Sequence, residues 1–442
     1  MLVMKFGGTS MGSASRLKTI VDLIKEKRDE KPVIVVSAVS GITDALIAAA
    51  YDAVHGKVDL SAIERKHQEI LEALGTDSST LKPYLNELKA ELQHIAGFAR
   101  LSPQLLDNVV SFGERLSARM LSLYANSQGL ATRAVDSFDV GMITDTRFGK
   151  AEVLPQSYIE LNKQITAMVN EGKIPIITGY IGKSKGGQIT TLGRGGSDYT
   201  ASIIGAAIRA SEIQIWTDVN GVMTADPRVV REAKTVPLVS FDEASELSYF
   251  GAKVLHPKTI LPAMQHDISV RVLNTFDPKN PGTKIVRNIP GEKSIKAIAF
   301  KKNVTLITIK SSRMLLAHGF LHQVFKIFYE YEVSIDMIAT SEVSVSLTVD
   351  KGKDLEGAIN DLKQFSEVKI EQNKASICLV GEGVNANMGA VQKIFNTLSE
   401  HQIQVDMISQ GASEISFGIV IDSEKTDKAV KALHKIFFEV EQ

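Results

Sequence analysis

The sequence predicts an α/β domain with a mainly parallel sheet and helices on both faces, followed by two small α+β repeats. Up to about residue 290, short runs rich in valine and isoleucine alternate with longer segments of helical period, as βαβ units require. A stretch rich in proline, glycine and asparagine interrupts this pattern at 276–293 and predicts a domain boundary. Beyond it, the chain resembles itself when it is displaced by 70 residues, which indicates an internal repeat.

Five strands are predicted in the first part of the chain, each an apolar run closed by a glycine or a small polar residue. They are 2–6, 32–38, 174–181, 212–218 and 268–274. The charged segment between Asp59 and Leu130 has a helical period, so we expect a helical lobe beside the sheet. The predicted domains are 1–290, with this lobe at about 59–130, and the repeats 291–372 and 373–442.

The repeat is clearest where 319–338 aligns with 389–408. Asp336 then matches Asp406, and in both copies a strand leads into an amphipathic helix, a second strand, a polar turn and a third strand. Units this small leave edge strands and apolar faces that need covering. The pattern therefore favours a binding or assembly module.

Composition excludes several classes of protein. The 442 residues include 50 Lys and Arg against 51 Asp and Glu, a net charge of −1, which offers no basic excess for a nucleic acid or an anionic membrane. No apolar run approaches the roughly 18 residues that cross a bilayer. A single cysteine, Cys378, forms no internal disulfide and suits a reducing compartment, so we expect a cytoplasmic protein.

Two glycine motifs bear on phosphate binding. The run 381–386 has the form G-x-G-x-x-A, which alone would suit a nicotinamide-dependent dehydrogenase. Too little chain follows it for a dinucleotide-binding sheet, so a turn is the better interpretation. At 5–10, by contrast, Lys5 and two glycines end a strand before a helix, and such a turn brings backbone N–H groups and a charge to an anion. A tight turn with a solvated lysine remains the alternative.

A second glycine-rich loop, 192–200, contains Arg194 and opens a helix of small residues. Ser197 or Asp198 can cap that helix, and Arg194 can bind a carboxylate through two hydrogen bonds. The alternative is a capped helix with a surface arginine. Glu114 stands where a helix can present it to an ammonium group, although most glutamates are solvated helix charges.

Polar residues also follow the strand that ends near residue 218. Thr217 and Asp218 close it, and T-A-D-P-R follows at 224–228. The carboxyl ends of strands are where open α/β sheets bind ligands, while successive turns are the alternative. In 251–257, His256 precedes a proline that restrains it, so a structural role is expected for it.

Together these segments resemble the aspartokinases of the amino-acid kinase family. The resemblance rests on KFGGTS, SAVSGITD, SFGERLS, GRGGSDYTA, TDVNGVMTADPR and GAKVLHP in this order, followed by paired ACT-type repeats. It implies a monofunctional enzyme that uses ATP to phosphorylate the side-chain carboxylate of L-aspartate. The product, 4-phospho-L-aspartate, is the first intermediate toward lysine, threonine and methionine.

The resemblance also implies site residues. Those for ATP are Lys5, Phe6, Gly7, Gly8, Thr9, Thr217, Asp218, Met223, Arg228, Lys253 and Val254. Those for aspartate are Thr43, Glu114, Arg194, Gly195, Gly196 and Ser197, while Lys5 and Asp198 are the expected catalytic residues. Family members often have tyrosine where this chain has Met223, which leaves that nucleotide contact open. Mg²⁺ is expected from the reaction, since no carboxylate cluster at ligand spacing predicts a metal site.

For the repeats, the resemblance implies an amino-acid effector and a homodimer or tetramer. The matching positions are Met314, Phe320, Leu321, Ser334, Ile335, Asp336, Thr340, Ser341 and Glu342. Asp336 and Glu342 suit an ammonium group, so lysine is favoured as inhibitor. Four alternatives stay open: regulation by threonine, a kinase of another amino-acid carboxylate, a non-catalytic sensor, and a purely structural pair of repeats in which Asp336 and Asp406 are equivalent turn residues.

Overall fold

The computed structural model describes residues 1–98, 100–251, 255–289, 294–311, 314, 318–350, 355–384, 388–410 and 415–439. The strands are β1 Leu2–Phe6, β2 Pro32–Val36, β3 Thr132–Val135, β4 Ile143–Thr144, β5 Ile174–Thr178, β6 Ile181–Ser184, β7 Ile189–Thr191, β8 Glu212–Thr217, β9 Leu238–Ser240, β10 Val270–Asn274, β11 Thr283–Val286, β12 Ala297–Lys310, β13 Ile335–Thr340, β14 Ser344–Val349, β15 Glu367–Val380, β16 Met407–Gln410 and β17 Ser416–Asp422. The helices are α1 Ala14–Glu26, α2 Ile42–Val54, α3 Ser61–Ala73, α4 Lys82–Ile95, α5 Pro103–Val110, α6 Phe112–Ser127, α7 Gln156–Asn170, α8 Gly196–Ile208, α9 Phe241–Tyr249, α10 Pro257–Gln265, α11 Phe320–Glu330, α12 Leu355–Lys363, α13 Met388–Glu400 and α14 Thr426–His434.

The chain forms two compact units. The first comprises Met1–Val222 and Val254–Asn288, and the second comprises Met223–Lys253 and Ile289–Gln442. None of the helices in the described ranges is both long enough and apolar enough to cross a membrane.

In the first unit, seven strands lie in the order β3-β5-β2-β1-β8-β10-β11. Every neighbouring pair is parallel except β10 with β11. All five predicted strands form, and the mainly parallel sheet is confirmed. From β1 the chain builds one side of the sheet through β2, β3 and β5 and then the other through β8 and β10. The carboxyl ends of β1 and β8 therefore meet at a topological switch point, where such sheets bind ligands.

The predicted helical lobe is present and packs on the sheet. Leu71 of α3 and Leu88 of α4 belong to the same buried cluster as Met4 and Phe6 of β1. Each buried leucine of this kind contributes roughly 1.5 to 3 kcal/mol of hydrophobic stabilisation. The lobe and the sheet thus share one core, which holds the amino end of α6 close to the strand ends.

The second unit contains a six-stranded sheet in the order β13-β14-β12-β15-β17-β16, and its neighbouring pairs are antiparallel. The long strands β12 and β15 pair along their length and serve both repeats. Ile307 packs in the core of the first repeat, whereas Ile298, on the same strand, packs with the second. The two α+β repeats therefore interlock, and no single boundary in the sequence divides one repeat from the other.

Candidate active site

Lys5 is the buried cation at the carboxyl end of β1. It is only 8% exposed, and its Nζ lies 2.6 Å from Oδ1 of Asp198, in the first turn of α8. A buried charge of this kind requires a partner, and Asp198 provides it. The alternative of a solvated lysine is therefore wrong.

The glycine turn after β1 has free backbone donors. The Gly7 N–H donates to the Trp216 carbonyl, whereas the N–H groups of Gly8 and Thr9 donate to no acceptor within the described ranges. A Cβ atom on Gly8 would lie 2.9 Å from the Ala38 carbonyl oxygen, so a larger residue cannot occupy this position without a shift. Free N–H groups beside a lysine can bind an anionic phosphate.

Glu114, in the first turn of α6, is almost completely buried. Its Oε1 accepts a hydrogen bond from the Ala38 N–H at 3.1 Å, while Oε2 is buried without a partner among the described residues. Burial raises the pKa of this carboxyl to about 8, although the Ala38 N–H and Lys5 both act to lower it. The alternative of a solvated helix charge is wrong, and the orphaned oxygen is suited to a ligand cation.

The loop carrying Arg194 has a permissive backbone. Gly193 and Gly195 have φ values of 77° and 71°, a region that glycine adopts at little cost. The prediction that Ser197 or Asp198 caps α8 is wrong: Gly195 occupies the cap and no side chain caps the helix. Asp198 is directed to Lys5 instead, and Arg194 is exposed without an ion pair in the described ranges.

Tight packing brings this loop to the end of β5. A Cβ atom on Gly179 would lie 2.6 Å from Cβ of Ser197, and Ser197 is only 8% exposed. Tyr180, the next residue, has a φ of 67°, which is uncommon for a side chain of this size. Strained residues of this kind cluster at functional sites, and no motif in the sequence marks Tyr180.

Three further predicted residues lie in the first unit. Thr43 is half-buried in the first turn of α2, and the loop before it is tied to the glycine turn by the Ser40 N–H, which donates to the Gly8 carbonyl at 3.1 Å. Thr217 ends β8, and its hydroxyl donates to Asp218 at 3.2 Å. Thr217 and Asp218 thus lie at the end of β8, which pairs with β1 on the side opposite β2.

The remaining predicted nucleotide residues belong to the second unit or lie outside the described residues. Met223 and Arg228 belong to the second unit, where Arg228 is exposed and pairs with Asp226 at 2.6 Å. Lys253 and Val254 lie outside the described residues, as do Asn385 and Ala386 of the rejected glycine motif. His256 accepts a hydrogen bond from the Lys258 N–H at the start of α10, which confirms its structural role.

The predicted effector residues lie in the first repeat. Phe320 and Met314 pack in or against its core. The exposed residues are Leu321, Ser334, Thr340, Ser341 and Glu342. The Asp336 side chain is 3% exposed and pairs with Lys301, which also contacts Asp350. No ion pair to Glu342 is found in the described part of the chain, so this carboxylate is available to a ligand.

The second repeat contains an equivalent ion-pair arrangement. Lys374 contacts Asp406 at 2.7 Å and Asp422 at 2.8 Å. Asp336 and Asp406, which the repeat alignment equates, are thus both neutralised by a lysine of the same chain. This favours the alternative in which the two aspartates have equivalent structural roles.

The described residues contain no group of three or more histidine, cysteine, aspartate or glutamate side chains that could hold a metal ion. Cys378 is buried, and burial raises the pKa of its thiol, so it is protonated at neutral pH. In the first unit, Lys5 and backbone N–H groups can bind an anion, beside the buried Glu114 carboxylate for a cation.

Comparison with known proteins agrees with this chemistry. Residues 1–274 match the amino acid kinase family, and residues 307–364 and 377–437 match the ACT domain. Aspartokinase 1, chloroplastic, of Arabidopsis thaliana is 41% identical over 99% of this chain and 80% of its own length. Two crystal structures of Escherichia coli aspartokinase III, each 34% identical, cover 99% of this chain and 100% of their own. The complex with aspartate and ADP has a TM-score of 0.84, and that with lysine and aspartate has 0.82.

These matches span the site as well as the repeats, and together they show that the chain belongs to the amino acid kinase family and, within it, to the aspartokinases. It is an aspartate kinase, a phosphotransferase with a carboxyl group as acceptor. The predicted ACT-type nature of the repeats is confirmed, and nothing in the matches supports the alternatives of a dehydrogenase or a silent sensor.

Proposed function

We propose that this aspartate kinase performs phosphoryl transfer at the carboxyl ends of β1 and β8. The observation that carries the proposal is the buried Lys5–Asp198 pair beside free N–H groups of the glycine turn. An oxygen of the aspartate side chain forms a bond to the γ-phosphorus of ATP as the bond to the β,γ-bridging oxygen breaks. The products are 4-phospho-L-aspartate and ADP.

No general base is needed, because a carboxyl with an ordinary pKa near 3.9 is already ionised at neutral pH. The obstacle is the approach of one anion to another. Lys5 and the N–H groups of Gly8 and Thr9 reduce that repulsion and stabilise the charge of the transition state. Asp198 holds the Lys5 ammonium in place, which makes it a positioning group rather than a proton acceptor.

The remaining roles are proposed by matching charged side chains to the charged groups of the substrate. Glu114 binds the α-ammonium of aspartate through its unpartnered oxygen, and Arg194 binds the α-carboxylate. The backbone of Gly195 and Gly196, with the hydroxyls of Ser197 and Thr43, completes the aspartate site. Phe6, Gly7, Thr217, Asp218, Met223, Arg228, Lys253 and Val254 are the proposed nucleotide contacts.

Mg²⁺ is proposed to arrive with ATP, bound by its phosphates, where it would neutralise phosphate charge. The described residues offer no group of three or more histidine, cysteine, aspartate or glutamate side chains that could hold the ion. Lys5 and the N–H donors act on the phosphate directly.

The substrate assignment is tested with a coupled ADP-release assay containing ATP and Mg²⁺. We expect ADP release with L-aspartate and little with L-glutamate, and hydroxylamine should trap the acyl phosphate as aspartyl β-hydroxamate. Equal release with glutamate would favour a kinase of another amino-acid carboxylate. Release without hydroxamate would indicate ATP hydrolysis.

The buried Glu114 predicts a pH dependence. Its ionised form binds the substrate ammonium, and its raised pKa of about 8 means that the free enzyme gains this form as pH rises through that value. We expect kcat/KM for aspartate to increase between about pH 7 and 9, with an apparent pKa near 8 that Glu114→Gln abolishes. An unchanged profile in Glu114→Gln would assign the titration to another group.

Regulation by lysine is proposed for the first repeat. The lysine complex of the Escherichia coli relative supports an effector of this kind. Because Lys301 already neutralises Asp336, the exposed Glu342 is the better candidate for the lysine ammonium. We also propose assembly through the repeats, a cytoplasmic location and a place at the start of lysine, threonine and methionine synthesis.

We expect lysine to inhibit the wild type and Glu342→Ala to require at least about tenfold more lysine, as loss of a charged hydrogen bond predicts. Glu356→Ala is the control, since Glu356 is an exposed glutamate in the same repeat. Inhibition by threonine alone, or equal lysine sensitivity in both variants, would contradict the proposed effector site.

A further inference from the structure

Asp107 is a buried carboxylate outside the predicted site. It lies in α5 and is 2% exposed. Its Oδ2 accepts hydrogen bonds from the N–H groups of Thr191, at 2.8 Å, and Gly149, at 2.9 Å, and its Oδ1 accepts one from the Thr191 hydroxyl at 2.8 Å. Burial raises the pKa of this carboxyl against the effect of these donors. Burial of a carboxylate costs free energy, so we expect Asp107 to have a role at this position.

One of the two residues that Asp107 binds, Thr191, leads into the Arg194 loop. Thr191 is the last residue of β7, and the loop continues directly into Gly193 and Arg194. A Cβ atom on Gly193 would lie 3.0 Å from the Gly149 carbonyl oxygen, so the two segments held by Asp107 also pack on each other. The Asp107 carboxylate therefore holds both the segment that contains Gly149 and the segment that leads into the Arg194 loop.

The backbone of Tyr180 holds the same loop at two points. Its carbonyl accepts the Leu192 N–H at 2.9 Å, and its N–H donates to the Thr200 hydroxyl at 3.1 Å, within α8. These bonds restrain both ends of the loop. Between them lie two glycines with positive φ and no side-chain cap, so the loop depends on outside anchors for its conformation.

We propose that Asp107 is a positioning residue for aspartate binding, which clamps Thr191 and Gly149 and thereby sets the direction in which Arg194 leaves its loop. The proposal rests on the proposed role of Arg194. Asp107 acts on aspartate binding without contacting the substrate. Its effect reaches the substrate through the loop backbone.

The test is Asp107→Asn, which keeps the shape of the side chain but replaces one oxygen with an NH₂ group. That group cannot accept the hydrogen bonds that Thr191 or Gly149 donates to Asp107. We expect KM for aspartate to rise about tenfold, in the range for loss of hydrogen bonds to a charged group. KM for ATP and kcat should stay within about twofold. Deuterium exchange of the peptide covering 189–197 should accelerate. Thr191→Val, which loses only the hydroxyl donor, should change KM for aspartate in the same direction by less.

Asp59→Asn is the matched control. Asp59 likewise accepts a backbone N–H and a hydroxyl, both from Ser61, but it lies on an exposed turn of the helical lobe, so neither readout should change.

The exchange measurement needs no substrate. A wild type that fails to phosphorylate aspartate would overturn the proposed function, while the loop exchange would still decide the role of Asp107. Unchanged loop exchange in Asp107→Asn, or a rise in KM for ATP alone, would overturn the proposal. If Asp107→Asn does not fold, Thr191→Val decides by the same two readouts.

Discussion

Lys5→Ala is expected to lower kcat about a hundredfold or more, since removal of one preorganised electrostatic donor from a transition state has an effect of this size. Lys5 is the buried cation at the glycine turn, and its Nζ is held 2.6 Å from Asp198. Its charge therefore needs little reorganisation when the phosphoryl group moves. Steady-state kinetics with saturating ATP and aspartate measure the change, and the KM values should change less than kcat.

Two further variants separate catalysis from folding. Lys5→Met keeps most of the side-chain volume and removes the charge, so it should lose as much activity as Lys5→Ala. Lys183→Ala removes a half-buried lysine from β6 in the same unit, and it should keep wild-type kcat. A folded Lys5→Met enzyme, as judged by its thermal transition, with kcat within a few-fold of the wild type would remove Lys5 from the mechanism.

The strands that the sequence predicts are those with a strong local signal, a continuous run of apolar residues. β1 and β2 are buried along their whole length, and such strands form continuous runs of valine and isoleucine. The missed strands carry a weaker signal. In β3, the exposed Arg133 interrupts the buried pattern, and β4 is only two residues long. Pairing with neighbours, rather than local propensity, determines these short strands.

At the site, local motifs predicted the residues but not their partners. The sequence placed Lys5 beside a glycine turn and Glu114 at a helix start, yet each alone was compatible with a solvated charge. Their burial arises from contacts between distant segments: Lys5 with Asp198, and Glu114 with the Ala38 N–H. Asp107 had no motif at all, because its role depends on Thr191 and Gly149.

The repeats show the same limit. Displacement by 70 residues equated Asp336 with Asp406, but their lysine partners, Lys301 and Lys374, do not align under that displacement. Asn303 and Asn373 do align, and both have positive φ, 60° and 56°, within the paired long strands β12 and β15. The backbone symmetry could therefore be detected from the sequence, whereas the ion pairs required the folded sheet.

Arg194→Ala is expected to raise KM for aspartate about tenfold to a hundredfold, because a charge-assisted hydrogen bond contributes roughly 1.5 to 3 kcal/mol. Arg194 is exposed and unpaired within the described ranges, so its removal breaks no ion pair there and should leave the thermal transition unchanged. KM for ATP should stay within about twofold. Steady-state kinetics with each substrate varied in turn give both values.

Arg194→Lys and Arg133→Ala complete this test. Lysine keeps the charge but not the planar pair of donors that grips a carboxylate, so Arg194→Lys should fall between the wild type and Arg194→Ala in its KM for aspartate. Arg133 is an exposed arginine of β3 in the same unit, and Arg133→Ala should leave both KM values unchanged. If Arg194→Ala instead raises KM for ATP and leaves that for aspartate alone, the arginine serves the nucleotide. Of the two charged residues proposed to bind aspartate, only Glu114, with its unpartnered Oε2, would then keep that role.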